Sequence, residues 1–507
     1  MFVNRNKEFH ILEIATKGIL QNEKIDIAII GNRRIGKTEL ILEYKNKHDK
    51  NNNIIYPYLN IQRLGTIDSF IFSYIRELLF EIGKKTGKIS NKTQLSDWDD
   101  ILILASKLTI EESIKKLKAI TNENAVNYLF EIQIQILKQT GFYCIFLLDE
   151  FQYVKQFGDT FLHKMRAGVE KEKRVSYIVT GSSVSLMEHI FSESKEPFFA
   201  QFRRIYLGTI SIPHMRKLAR NFLQKHHIQC DDVYLKEIFR LTQGHPFYTI
   251  SLCRRIIEEF EDIDKDKIQY AFLEETLSPR GDIYLVLDYI FNESLSRAYK
   301  GGKHRQILLI LAQKQGLTLT EISKKLSSPT GEVSNYMKVL LKTDLLFREN
   351  NQYYFRDALL AFWLKNTFLG INQTEVEKKQ VRKILMDELQ EKYQQVSSEL
   401  GKAKEYELKE KLGEKFGITL QNYTSDNGQI EFDLMGEKDD TCFIFEIKWR
   451  NQPTDYSDIK RLIKKVDESI FSSKKIALYI VSKNDYTKNA KKLAKKYNIA
   501  LLKDEDV

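Results

Sequence analysis

Gly31-Asn32-Arg33-Arg34-Ile35-Gly36-Lys37-Thr38 satisfies G-x-x-x-x-G-K-[ST] at every fixed position. Its two flanks decide the fold. Ahead of it, Ile25, Ile27, Ala28, Ile29 and Ile30 form a short β-branched run, as in a strand buried on both faces of a parallel sheet. Behind it, Glu39-Leu40-Ile41-Leu42 opens a helix. A strand, a glycine-bearing turn and a helix in that order make a phosphate-cradling loop, the P-loop. The glycines let the backbone curl so that its N–H groups face phosphate, and the helix N-terminus adds partial positive charge. Lys37 is expected to reach the β- and γ-phosphate oxygens, and the Thr38 hydroxyl to hold Mg²⁺. The implied ligands are ATP and Mg²⁺, with residues 31–38 as the binding loop.

Such a loop needs an acidic partner at the end of an apolar strand. Phe142-Tyr-Cys-Ile-Phe-Leu-Leu148 runs directly into Asp149-Glu150. Asp149 is expected to orient Mg²⁺ through its water shell, and Glu150 to polarise the attacking water. One strand later, Val175–Val179 ends in Thr180-Gly181-Ser182-Ser183. Ser182 or Ser183 is the candidate sensor of the γ-phosphate at that strand tip. A further strand is expected at Ile54–Ile61, with long helices from Ile67 to Lys85 and from Glu111 to Lys138. Strands alternating with helices imply a βα-wound parallel sheet.

Phe151-Gln152 after the acidic pair and Gly244-His245-Pro246 within Leu241–Phe247 make the likeness more specific. The chain resembles the archaeal ATPase family, a clade of STAND-type AAA+ proteins, with an associated C-terminal DUF234 domain. The resemblance implies a P-loop ATPase core with a helical lid. It also implies that Gly244 and Pro246 approach the adenine or ribose, and that Arg204, beside Arg203, faces a phosphate.

Residues 304–365 read as a helix-turn-helix with a wing. Ile307, Leu308, Ile310 and Leu311 mark a first helix, and Thr320 is placed to cap a second. A third runs from about Thr330 to Leu341, and a hairpin follows with Asn350-Asn351 at its tip. The third helix offers Ser334, Asn335 and Lys338 but no arginine, the residue that base readout favours most. Packing on the ATPase and contact with DNA both stay open.

The last block carries Phe432-Asp433 and, thirteen residues on, Glu446-Ile447-Lys448. Glu446 and Lys448, two apart on one strand, share a face. With Asp433 they resemble the D…E-x-K set of restriction-like nucleases, where two carboxylates share Mg²⁺ and the lysine assists the attacking water. Glu405 is the candidate acid on the preceding helix, with Glu407 as its rival. The expected order from 402 is α-β-β-β-α-β, a PD-(D/E)XK-like α/β core.

At 507 residues, three or so domains are expected. The boundaries read as an ATPase core at 1–212, a helical lid at 213–300, a winged helix at 301–370, a helical linker at 371–400 and the nuclease-like block at 401–507. Cys144, Cys230, Cys253 and Cys442 are scattered, which argues against a zinc site or a disulfide framework. No signal-like start and no apolar run of ~18 residues occurs, so a cytoplasmic protein without a membrane partner is expected. The net charge of +10 is compatible with DNA or RNA as partner. The expected function is a nucleotide-driven ATPase switch coupled to nucleic-acid binding or cleavage. The alternative is a regulatory or signalling scaffold, with a protein partner or a second copy, whose nuclease-like fold is inactive.

Overall fold

The computed structural model describes residues 5–51, 53–120, 123–192, 195–297, 302–349, 351–368, 370, 376, 378–395, 408–409, 411–413, 415–424, 430–439, 441–449, 453–469, 471, 475–503 and 506. They fall into two compact units, Met1–Gly208 and Thr209–Val507.

The first unit is a three-layer α/β structure. Its elements are α1 (Asn6–Leu20), β1 (Ile27–Ile30), α2 (Lys37–His48), β2 (Ile54–Ile55), β3 (Tyr58–Asn60), α3 (Ile67–Lys85), α4 (Trp98–Lys107), α5 (Glu111–Ala119), α6 (Glu123–Thr140), β4 (Tyr143–Asp149), α7 (Asp159–Lys171), β5 (Val175–Gly181), α8 (Val184–Ser192) and β6 (Arg203–Tyr206). The sheet runs β2-β4-β5-β1-β6, all parallel, with β3 also paired to β4. Alternation along each strand fills the two faces. Ile27, Ile29, Ile145, Leu147 and Ile178 meet α1 and α2, while Ala28, Ile30, Phe146, Leu148 and Val179 face the core that holds α3, α6 and α7.

Two expected elements are divided. The strand Ile54–Ile61 breaks at Tyr56-Pro57, because Pro57 has no N–H to give a ladder, although its carbonyl still accepts from Leu147 N at 2.8 Å. The helix from Glu111 to Lys138 is two helices, α5 and α6, and α4 was not foreseen.

The second unit begins with five helices: α9 (Ile212–Lys225), α10 (Asp232–Thr242), α11 (Pro246–Glu259), α12 (Lys265–Leu277) and α13 (Asp282–Arg297). Three helices and a small antiparallel sheet follow: α14 (Gly302–Gln313), β7 (Leu317–Thr318), α15 (Leu319–Leu326), α16 (Thr330–Lys342), β8 (Leu346–Glu349) and β9 (Gln352–Phe355), with sheet order β7-β9-β8. The cap of α15 is Thr318, not Thr320. Its hydroxyl accepts from Glu321 N at 3.3 Å, and the Glu321 carboxylate accepts from Thr318 N at 2.7 Å, a reciprocal capping box.

Next come α17 (Ala358–Phe368) and α18 (Lys379–Gln395). Expected as a linker, α18 is instead a packed element. Leu385, Met386 and Leu389 are buried, Tyr393 donates to Leu241 O at 2.7 Å, and Arg382 pairs with Asp266 at 2.6 Å. Lys392 donates to Ala312 O at 2.6 Å, so α18 ties the five-helix region to α14.

The chain ends in a sheet ordered β10 (Gln421–Thr424), β11 (Glu431–Lys438), β12 (Thr441–Lys448), β13 (Lys475–Ser482) and β14 (Ile499–Lys503). The first three strands are antiparallel and the last three parallel. The crossovers are the helices Tyr456–Asp467 and Lys488–Lys496. Three strands, a helix and a parallel strand stand in the expected order, and the second crossover helix and β14 extend it. Among the described residues no helix is long and apolar enough to cross a membrane.

Candidate nucleotide site and a second carboxylate cluster

Sheet order places β5 between β1 and β4, so the tips of three strands converge at one edge. The loop after β1 turns through Arg34 at φ 59° and Gly36 at φ 97°, and Gly36 leads into α2. Gly36 has the freedom for this at no steric cost. Gly31 is required for another reason: a Cβ there would lie 2.4 Å from Leu207 O.

Lys37 is buried and its ammonium folds back into the loop, donating to Gly31 O at 2.9 Å and Asn32 O at 2.7 Å. Burial pushes its pKa down to about 8, against the opposing pull of Glu150 and Asp149. The Thr38 hydroxyl donates to Asp149 Oδ2 at 2.9 Å. Tyr58 OH donates to the same oxygen at 2.9 Å and Asn60 Nδ2 at 3.4 Å, while Thr180 holds Asp149 Oδ1. Asp149 is 1 % exposed, so these donors replace its water.

Glu150 adopts φ 55°, a left-handed conformation uncommon outside glycine. That turn carries its carboxylate to Ser182, whose hydroxyl donates to Oε2 at 2.7 Å, and to the Gln152 amide, which also bonds that oxygen. Gln152 in turn donates to Ser182 Oγ at 3.1 Å. The expected sensor thus touches the expected water-polarising acid. Thr38 and Asp149, a hydroxyl beside a carboxylate at the mouth of the loop, fit a Mg²⁺ ion.

Sequence reading missed four members of this site. Tyr58, Asn60 and Thr180 hold Asp149, and each sits at a strand tip where a polar residue interrupts apolar sequence, which is the signal that could have found them. The fourth is Arg5. Its guanidinium is buried and donates to Ile35 O in the loop at 3.2 Å and to Gly208 O at 2.6 Å. Burial holds its pKa below the usual range. No local pattern announces contacts between such distant positions.

Arg204 lies on β6 level with Ala28 and engages Ser192 and Glu188, the latter at 3.6 Å. In the second unit, Gln243 and Gly244 (φ 50° and 71°) turn α10 into α11, and Pro246 is the first residue of α11. A Cβ on Gly244 would meet Ile210 O at 2.2 Å. His245 caps α11 and stacks on Tyr248 with ring centroids 3.9 Å apart, and Tyr248 OH donates to Asp357 at 2.6 Å.

The C-terminal sheet brings Asp433, Glu446 and Lys448 together. β11 and β12 pair Leu434 with Phe445, which puts Asp433 and Glu446 one step further along facing strands. Asp433 Oδ2 accepts from Ile447 N at 2.5 Å. Lys448 bonds Glu446 Oε1 at 2.7 Å, and Lys465, from the first crossover helix, bonds both oxygens at 3.0 and 3.1 Å. Burial, then Glu446, push Asp433 up to about 6. Burial works to raise Glu446 too, but Lys448 and Lys465 hold its carboxyl below the usual range. Lys465 was not foreseen. Glu405 and Glu407 lie outside the described residues. Among the described residues no group of three or more His, Cys, Asp or Glu could hold a metal. The donors present fit a two-carboxylate site at most, with Glu446 released from its lysines.

No family model and no curated protein matches the chain. Solved structures do. The Walker-type ATPase PABY2304 of Pyrococcus abyssi is 15% identical with a TM-score of 0.50, covering 72% of this chain and 96% of that one. The Aeropyrum pernix ORC2 protein, in its ADPNP–ADP complexes, is 12% identical with a TM-score of 0.44, covering 76% of this chain and 94% of that one. The first of these likenesses gives the chain the fold of a Walker-type ATPase.

Proposed function

We propose that this chain binds and hydrolyses ATP and acts as a nucleotide-driven switch. The observation that carries the reading is the meeting of Lys37, Thr38, Asp149 and Glu150 at one sheet edge. Lys37, now bonded to two loop carbonyls, is placed to exchange them for phosphate oxygens. Thr38 and Asp149 would hold Mg²⁺, which when bound offsets the charge on the β- and γ-phosphates. Glu150 accepts a proton from the water that attacks the γ-phosphorus, giving ADP and inorganic phosphate. Ser182 and Gln152 hold that carboxylate until the phosphate arrives, which makes hydrolysis responsive to occupancy. Calorimetric titration with Mg-ATP tests the first step. The wild type should bind and Lys37→Ala should bind at least about tenfold more weakly. Equal affinity would remove the P-loop reading.

The resemblance to STAND-type proteins supports a lid role for the Gly244–Pro246 corner, and the C-terminal domain is read as the part that meets nucleic acid. A second reading, metal-dependent cleavage there, is favoured by the convergence of Asp433, Glu446 and Lys448. Asp433 and Glu446 would hold the cation. Incubation of DNA and RNA with Mn²⁺, comparing wild type and Glu446→Ala, separates a nuclease from a binding module.

A further inference from the structure

Between Tyr456 and Lys503 the sequence holds thirteen Lys and Arg against four Asp and Glu, a net +9 out of +10 for the whole chain. The fold gathers much of that charge on one surface. The helices Tyr456–Asp467 and Lys488–Lys496 pack against each other and share one core on one face of the sheet. Ile459, Leu462, Ala490 and Ala494 point into that core, which turns the opposite sides of both helices to solvent.

Lys460, Arg461, Lys488, Lys492 and Lys495 are exposed there. Lys488, Lys492 and Lys495 follow helical spacing and form one stripe. Lys491 has Asp485 at 3.0 Å and Lys464 has Glu468 at 3.7 Å. Among the described residues no carboxylate pairs with the other five. Like charges at these spacings destabilise a helix. The row is thus a cost to the fold that an anionic partner would offset.

We infer that this two-helix face docks the sugar–phosphate backbone of a nucleic-acid duplex. The inference rests on the reading of the C-terminal domain as the part that meets nucleic acid, and adds the surface that does so. Lysines are point charges suited to phosphate rather than to bidentate base readout, so the contact is independent of sequence. A membrane surface fits less well, because the aliphatic residues of both helices pack against the core and the solvent-facing stripe is basic. Single strands call for aromatic stacking platforms, and the exposed tyrosines, Tyr456 and Tyr497, sit at the start of one helix and just past the end of the other.

The test uses the full chain and measures affinity for a 30-base-pair DNA duplex, an RNA duplex and phosphatidylserine vesicles across a salt series. The triple variant Lys488→Gln, Lys492→Gln, Lys495→Gln should flatten the slope of log affinity against log salt by about 0.9 per lysine, and weaken duplex binding about tenfold or more at 0.1 M salt. The charge-keeping triple variant Lys488→Arg, Lys492→Arg, Lys495→Arg should keep the wild-type slope and affinity. A wild type that binds neither duplex would overturn both this inference and the domain reading beneath it. Wild-type binding with an unchanged slope in the triple variant would overturn the surface alone. Preference for vesicles over both duplexes would overturn the choice of partner.

Discussion

Thr38, in the first turn of α2, and Asp149, at the end of β4, stand 111 positions apart in the chain and meet at 2.9 Å. β4 is not adjacent to β1. The insertion of β5 between them lets the first turn of α2 reach over one strand tip to the next, with Thr180 of that middle strand bonded to the same carboxylate. A hydroxyl and a carboxylate are thereby fixed together before any ligand arrives, and preorganised groups of this kind stabilise charge most.

Asp149→Asn should keep the fold, since the Thr38 and Tyr58 hydroxyls can turn to accept from an amide NH2 in place of Oδ2 while the remaining oxygen keeps Thr180 and Glu150 N. Turnover of Mg-ATP should fall by about 10²–10³-fold. A coupled phosphate-release assay beside a thermal melt checks both halves.

ATP binding should become pH-dependent on the alkaline side. Burial lowers the Lys37 pKa from 10.5 to about 8, so the empty site has lost much of that charge above pH 8. Phosphate favours the charged form, so binding near pH 8–9 should take up protons. Calorimetry in buffers of different ionisation enthalpy should read a positive uptake that disappears at pH 6 and in Lys37→Ala. The stability sign follows from the same shift. Between about pH 8 and 10.5 the unfolded chain binds more protons at this lysine, so its contribution to stability rises with pH across that window.

The P-loop and the acid pair after β4 were legible because their chemistry depends on contiguous residues, and the β-branched runs around them leave little choice but buried parallel strands. Asp433, Glu446 and Lys448 were legible as a set because strand periodicity puts the last two on one face. Arg5, Tyr58, Thr180 and Lys465 were not, since each acts on a partner far away in sequence that only the sheet order or a crossover helix brings close. The Lys- and Glu-rich composition of α18 suggested a tether. Its buried stripe at Leu385, Met386 and Leu389 is short, and scattered polar contacts tie it to α10, α12, α14 and α17.

That packing carries its own expectation. Leu389→Ala should cost about 2–5 kcal/mol in a denaturant titration of the second unit's transition, the range for a large-to-small change in a core. A loss under 0.5 kcal/mol would return α18 to the role of a tether.

Gly244→Ala combines a left-handed backbone with a Cβ placed 2.2 Å from Ile210 O. Strain of about 1–3 kcal/mol at this corner should lower the melting temperature and open α10 and α11 to limited proteolysis. An unchanged digestion pattern would mean that the corner tolerates a side chain.

Glu150→Gln separates the proposed part of Glu150, serving the attacking water, from that of Lys37 and Thr38, holding the nucleotide. Its Mg-ATP affinity and its steady-state phosphate release should be measured side by side with the wild type. Affinity should stay within about threefold of wild type, and release should slow by about 10²-fold or more. Hydrolysis in Glu150→Gln at the wild-type rate would contradict it.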